Sequence, residues 1–284
     1  MTYKSIVVHV DHSDACRQRV ALAIELAQSQ QAHLTGVVPT GVIYYPYGGG
    51  GYGGGGNAMG IYYEAATTEL REVAQQSVDS FKRQVAQAGL PSAECRIANE
   101  DAITALTLHG HYADLVVLSQ SNPDIRGIAA NAVLPQHVLL HVARPVLLVP
   151  YAGTFSHIGQ QVMVAWDSGR ESARAVADAL PILKLAAKVH VIVFNGKKGA
   201  PDGHGPHPGT EIALYLSRHG VNVEASEEET SIDIGSALLS RMSDYGSDML
   251  VMGGYGHSRF RETILGGITR TILEHMTVPV LMSH

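Results

Sequence analysis

Cysteine is nearly absent. The 284-residue chain has two, Cys16 and Cys95, with no metal or redox spacing between them, which excludes a disulfide framework. Long apolar runs are missing too. No segment reaches the roughly 18 uninterrupted apolar residues of a bilayer span. Residues 1–11 lack the hydrophobic stretch and small-residue cleavage site of a signal peptide. Nor is there an excess of positive charge: 20 Lys and Arg stand against 26 Asp and Glu, a net charge of −6 with His neutral. That balance argues against a nucleic-acid coat or an anionic membrane surface, since both reward clustered Lys and Arg. The expectation is a cytoplasmic protein that engages neither. Hydrophobic residues make up 45%, enough for a real core, and the length suits two domains or one large one.

What is present is a repeat. Ile6-Val7-Val8-His9-Val10-Asp11 resembles Val162-Met163-Val164-Ala165-Trp166-Asp167, 156 residues later. Each apolar run ends in Asp and is followed by a polar turn and an apolar-periodic helix, near 14–29 and 170–186. Further on, Asp114-Leu115-Val116-Val117-Leu118 pairs with Asp248-Met249-Leu250-Val251-Met252, and Pro145-Val146-Leu147-Leu148 with Pro279-Val280-Leu281-Met282, both at an offset of 134. The first copy therefore carries 22 extra residues. Much of that excess falls to Gly48–Gly56, eight glycines interrupted only by Tyr52. Glycine packs no core and loses the most entropy on ordering, so this stretch reads as a surface loop. The domains divide as 1–152 and 158–284.

In the second copy strands are expected near 161–166, 189–194, 221–225, 248–252 and 278–282, and helices near 170–186, 210–219, 233–245 and 267–275. This alternation makes the fold class α/β: each copy a five-stranded parallel sheet covered by helices on both faces. Such sheets bind ligands beyond the carboxyl ends of their strands, where strand order reverses.

One stretch at such an end carries chemistry. A strand runs into Gly253 and Gly256, and ten residues on Gly266 and Gly267 open a helix, with His257, Arg259 and Arg261 between them. Glycines let a backbone approach phosphate oxygens, and a helix start supplies free N–H groups and partial positive charge. The competing reading is a set of turn and cap glycines. The pattern is neither a P-loop nor the Gly-x-Gly-x-x-Gly turn of dinucleotide folds.

Gly253-x2-Gly256-x9-Gly266, the strand-ending Asp167 and the terminal Val278-Pro279-Val280-Leu281 resemble the universal stress protein family. Both copies share the likeness, so the chain resembles a tandem member with Rossmann-like domains of the adenine nucleotide alpha hydrolase type. The resemblance implies ATP as ligand, with ADP, AMP and accompanying magnesium as variants. It assigns Asp167 to the adenosine, the backbone of Phe194 to adenine, Met252 and Gly253 to the ribose, and Gly256, Gly266, Gly267 and Ile268 to the phosphates. It also implies pairing of the two domains through their last strands, and a homodimer of chains as a further level. One departure stands out: where the family has Ser or Thr after the last motif glycine, this chain has Gly267, with Thr269 as the nearest hydroxyl.

The 134 offset places Ser119, Asn122, Ala132 and Val133 where the second copy has Gly253, Gly256, Gly266 and Gly267. The first copy has lost the motif, so one nucleotide site per chain is expected. His137-x3-His141 has helical spacing, but no Cys or Glu accompanies it, and no metal site is assigned. Cys16 near a helix start reads as buried and inert. The function expected is an ATP-binding stress-response regulator. The alternatives are a slow ATPase or a ligand-free scaffold. No catalytic residue is assigned, because no paired acids stand beside the glycines.

Overall fold

Why the copies become sheets is visible at their central strands. In the computed structural model Leu115–Leu118, Val146–Val149 and Met249–Val251 are fully buried, the continuous apolar pattern of strands covered on both faces. The structure describes residues 2–41, 56–124, 130–194, 207–256 and 267–284, with backbone alone for 56–69 and 130–132. The first half runs β1 (Ser5–His9), α1 (Asp14–Gln30), β2 (His33–Pro39), α2 (Gly56–Ala88), β3 (Ala93–Ala98), α3 (Ala102–Gly110), β4 (Leu115–Ser119), α4 (Ala130–His141) and β5 (Val146–Val149). The second runs β6 (Gln161–Ala165), α5 (Arg170–Leu183), β7 (Lys188–Phe194), α6 (Pro208–Arg218), β8 (Val223–Glu228), α7 (Ile234–Asp244), β9 (Met249–Gly253), α8 (Gly267–His275) and β10 (Val280–Ser283).

The strands form one ten-stranded sheet, ordered β3-β2-β1-β4-β5-β10-β9-β6-β7-β8. Each half has the same internal order, and within each half all pairs are parallel. The halves join where β5 meets β10 antiparallel, Leu147 opposite Leu281. One layer of helices, α1, α2, α5 and α6, packs over one face of the sheet, and α3, α4, α7 and α8 pack over the other. The repeated Asp has a structural cause. Asp114 accepts the N–H groups of Lys4 and Ser5, and Asp248 those of Gly159, Gln160 and Gln161. Each carboxylate thus fixes the start of its half's first strand.

Two sequence expectations shift. The strand expected at 221–225 is Val223–Glu228. Val221 is apolar and buried, but it precedes the ladder. The paired segment is an edge strand carrying Glu224, Glu227 and Glu228, the first two exposed, so hydropathy alone misplaces it. The extra 22 residues of the first half also find another home: α2 has 33 residues against 11 in α6, a difference of 22. Of the glycine run assigned to a loop, Gly56 begins α2, and 48–55 lie outside the described residues.

The halves also lock through one amide. Gln120, 5% exposed, follows β4. Its Nε2 donates to the carbonyls of Leu273 and Glu274 at the end of α8, at 2.9 and 3.2 Å, and its Oε1 accepts the N–H of Tyr151. Helix ends leave carbonyls that need donors. Gln120→Ala strands these groups, so urea unfolding should show a loss of about 1–3 kcal/mol.

Candidate functional site

The sheet order sets β9, β6 and β7 side by side, so their carboxyl ends bring distant residues together. Asp167 lies two residues beyond β6 and is exposed. Its Oδ1 accepts the N–H of Gly169 at 2.8 Å, a local turn that sets up α5, and Ser168 takes φ 59 within it. Phe194 ends β7, half-buried. Met252 is buried, so it offers the site only its backbone, and Gly253 follows at the strand end. Gly256 is exposed three residues on. Gly267 and Ile268 are the first two residues of α8. Phe194, Ala165, Ile234, Tyr255 and Ile268 all flank the same apolar cluster. Gly266, His257, Arg259 and Arg261 lie outside the described residues.

The glycines differ in what holds them. A Cβ on Gly253 would lie 2.6 Å from the Ser172 nitrogen and 2.7 Å from the Glu171 carbonyl carbon. These are backbone atoms of the first turn of α5, which cannot move aside cheaply. A Cβ on Gly256 would lie 2.8 Å from Glu171 Oε2, and one on Gly254 2.8 Å from Leu139 of the first half. Three of the glycines therefore allow close approach. At Gly267 no atom of the described residues lies within 4 Å of an added Cβ, and its φ is not positive, so nothing described there excludes a side chain.

Glu171 and Tyr255, which the spacing did not single out, and Thr269, which it did, frame this strand end. Glu171 is buried beside Gly256 and pairs with the exposed Arg170. Tyr255 takes φ 63, and its N–H donates to Thr269 Oγ1 at 3.2 Å. Thr269 is 4% exposed, so its hydroxyl fastens the end of β9 to the start of α8. The Tyr255 hydroxyl is buried with no partner among the described residues, and burial raises its pKa. An acidic residue in a first helical turn is too common to mark Glu171 from sequence, and nothing local marks Tyr255.

The first half presents a different picture at the same place. Asp11 is the counterpart of Asp167, but Arg19, 1% exposed, sits beside it with Nη2 3.1 Å from Asp11 Oδ2. Arg19 also donates from Nε to His9 O at 2.7 Å and from Nη1 to Ser119 Oγ at 2.6 Å. Ser119 is the residue that replaces Gly253. At the 156 offset, Arg19 corresponds to Ala175. Burial pushes the Asp11 carboxyl up, but Arg19, His9 and two hydrogen bonds from Ser13 outweigh it and hold the carboxyl well below its usual range. A guanidinium has closed this end of the first half.

Elsewhere, burial pushes up the Cys16 thiol, and pushes Cys95 to about 12. His141 Nδ1 bonds the His137 carbonyl at 2.7 Å. Among the described residues no three His, Cys, Asp or Glu side chains are grouped to hold a metal.

Comparison with known proteins now bears on this geometry. The universal stress protein family model matches residues 159–284, the half that carries the glycines. That half belongs to the universal stress protein family. The whole chain shares its fold with a universal stress protein from Archaeoglobus fulgidus DSM 4304, at TM-score 0.71 and 14% identity over 98% of this chain and 97% of that one. A functionally unknown protein from Pseudomonas aeruginosa PAO1 aligns at TM-score 0.58 and 14% identity, over 99% and 92%. A universal stress protein solved in complex with cAMP aligns at 24% identity over 54% of this chain and all of that one, at TM-score 0.36. No curated protein sequence matches the chain.

Two measurements follow. Gly253→Ala in the universal stress protein domain forces backbone apart and should cost about 1–3 kcal/mol in urea unfolding, whereas Gly267→Ser should leave stability unchanged. The second concerns acid. Burial is the main cause that brings His9 down to about 4, with Arg19 lowering it further and Asp11 opposing. The unfolded chain therefore binds more protons than the folded one between pH 6.5 and about 4, and stability falls as pH drops through that window. The full effect is about 3 kcal/mol. His9→Gln should flatten this part of the stability–pH curve; an unchanged slope would show that His9 is not its source.

Proposed function

We propose that the chain is a tandem universal stress protein, with domains at 1–152 and 158–284, that binds one ATP in its second half. The nucleotide acts as an effector: by holding the segment between β9 and α8 in one arrangement it selects one partner surface. In this reading Asp167 faces the adenosine, the Phe194 backbone meets adenine, and Met252 and Gly253 lie along the ribose. Gly256, Gly266, Gly267 and Ile268 take the phosphates. The chain is in effect a fused dimer, its halves paired through β5 and β10, and it works in the cytoplasm. Among the described residues no helix is long and apolar enough to cross a membrane.

The observation that carries the reading is the contrast at one position. Arg19 reaches across the end of the first half to Asp11 and Ser119, whereas the second half has Ala175, a buried methyl group, in its place. The phosphates fit the second half at α8, where the first N–H groups of a helix favour anions. Near Gly256 the Glu171 carboxylate would repel them, but its pairing with Arg170 offsets that charge.

Calorimetric titration of the full chain with ATP tests this. We expect one ATP per chain and a rise in melting temperature. Asp167→Ala should weaken binding by about tenfold or more, the scale of 1.4 kcal/mol. Gly267→Ser adds a hydroxyl where no described residue stands in its way and should tighten binding severalfold. No heat and no thermal shift would leave a ligand-free scaffold as the description of the chain.

A further inference from the structure

Val10 and Trp166 occupy one position in the two halves. Each directly follows the first strand of its half. Each donates its N–H to the second strand, Val10 to Val37 O at 2.8 Å and Trp166 to Ile192 O at 3.0 Å. Both side chains lie against the same core cluster, on the face covered by α1, α2, α5 and α6. The second half thus places an indole where the first places an isopropyl group. Where Val10 stands, the first half has a cavity of about 430 Å³ between the start of α1 and residues 73–84 of α2. Small-molecule sites commonly measure about 300–1,000 Å³.

The lining has two characters. Its floor is apolar, with Val10, Val20 and Phe81 each 1% exposed or less. Its α2 wall is polar, with Gln76, Ser77 and Ser80. Helices that pack directly close such a gap with apolar side chains; here amides and hydroxyls hold it open. Ser77 is 6% exposed and donates its hydroxyl hydrogen to Val73 O at 3.1 Å. That commits the proton and leaves the oxygen as an acceptor at the cavity wall. Asp11 also borders the cavity, but its carboxylate is engaged by Arg19 and Ser13. His12, Asp14 and Arg17, all exposed, border it as well from the start of α1, so the charged groups stand on that side and the α2 wall offers neutral ones.

We infer that this cavity is a second ligand site, for a planar bicyclic heteroaromatic of indole size with a ring N–H. The second half shows the group that belongs at this position, an indole. The first half has the space, an apolar floor for the ring and an acceptor for its N–H. This site does not depend on the nucleotide reading, lies in the other half and involves none of the glycine motif.

Saturation-transfer NMR on the full chain with indole as probe, in the presence of excess ATP, tests the assignment. The native chain should give transfer to the indole ring. Val10→Trp restores the side chain of the second half and fills the cavity, so it should abolish transfer and raise the melting temperature. Ser77→Ala removes the acceptor without filling the space. It should weaken indole binding about tenfold and leave 1-methylindole, which has no N–H, bound equally to both proteins. Absent transfer to the native chain, undiminished transfer to Val10→Trp, or equal indole affinity in Ser77→Ala would overturn the proposal. The Ser77→Ala comparison decides the matter even where the larger side chain at position 10 prevents folding. Loss of ATP binding without loss of indole transfer would count against the nucleotide reading alone.

Discussion

Two parallel five-stranded sheets each end in a strand with an unpaired edge, and this molecule closes both edges on one another. Val146, Leu147 and Leu148 of β5 meet Met282, Leu281 and Val280 of β10, and all six are fully buried. An exposed edge so apolar would be a template for aggregation. Once these strands pair, the rest of the interface has little freedom. Leu139 of α4 comes against Gly254 at the root of the glycine segment, and Gln120 caps the far end of the helix that closes it. Tyr3 and Gln30 donate to the carbonyls of Asp178 and Pro181 in α5. The first half thus braces the elements that frame the candidate site of the second.

Within that frame the two copies have diverged at single positions with large consequences. Arg19 against Ala175 decides whether the end of the sheet is filled by the chain's own guanidinium. The buried cation is tolerable because it pairs with a carboxylate and donates to a carbonyl and a hydroxyl. Ser119 against Gly253 belongs to the same exchange, since the hydroxyl accepts from Arg19 while the glycine admits the first turn of α5. Val10 against Trp166 trades packing for space on the opposite side of the same strand end. The duplication kept the sheet order and released the strand ends to differ.

Much of the fold was legible before any coordinates. The offsets of 156 and 134 carried the two-copy organisation, and apolar β-branched runs located the central strands to within a residue or two. The helix expected at 267–275 is Gly267–His275, and that expected at 170–186 is Arg170–Leu183. Edge strand β8 was displaced because it is rich in acid, with Glu224, Glu227 and Glu228, and poor in apolar residues. The lengthening of α2 was hidden because a conspicuous glycine run offered a simpler explanation for the extra residues. For the site, the strand-end positions of Asp167, Phe194 and Gly253 followed from topology. What each glycine touches did not, since that depends on Glu171 and Leu139 across the fold. Arg19 was invisible for the same reason: an arginine in an amphipathic helix normally faces water, and only its position beneath Ser119 and Asp11 buries it.

The central claim is that equivalent strand ends in one sheet have opposite fates, one closed by an internal arginine and one kept for a nucleotide. Hydrogen–deuterium exchange of the full chain with and without ATP, resolved by peptide, tests it most directly. The account predicts slowed exchange at the β6–α5 turn around Asp167, at the end of β9 and at the start of α8, with the equivalent β1–α1 turn around Asp11 unchanged. Slowed exchange at both turns, or at neither, would contradict it.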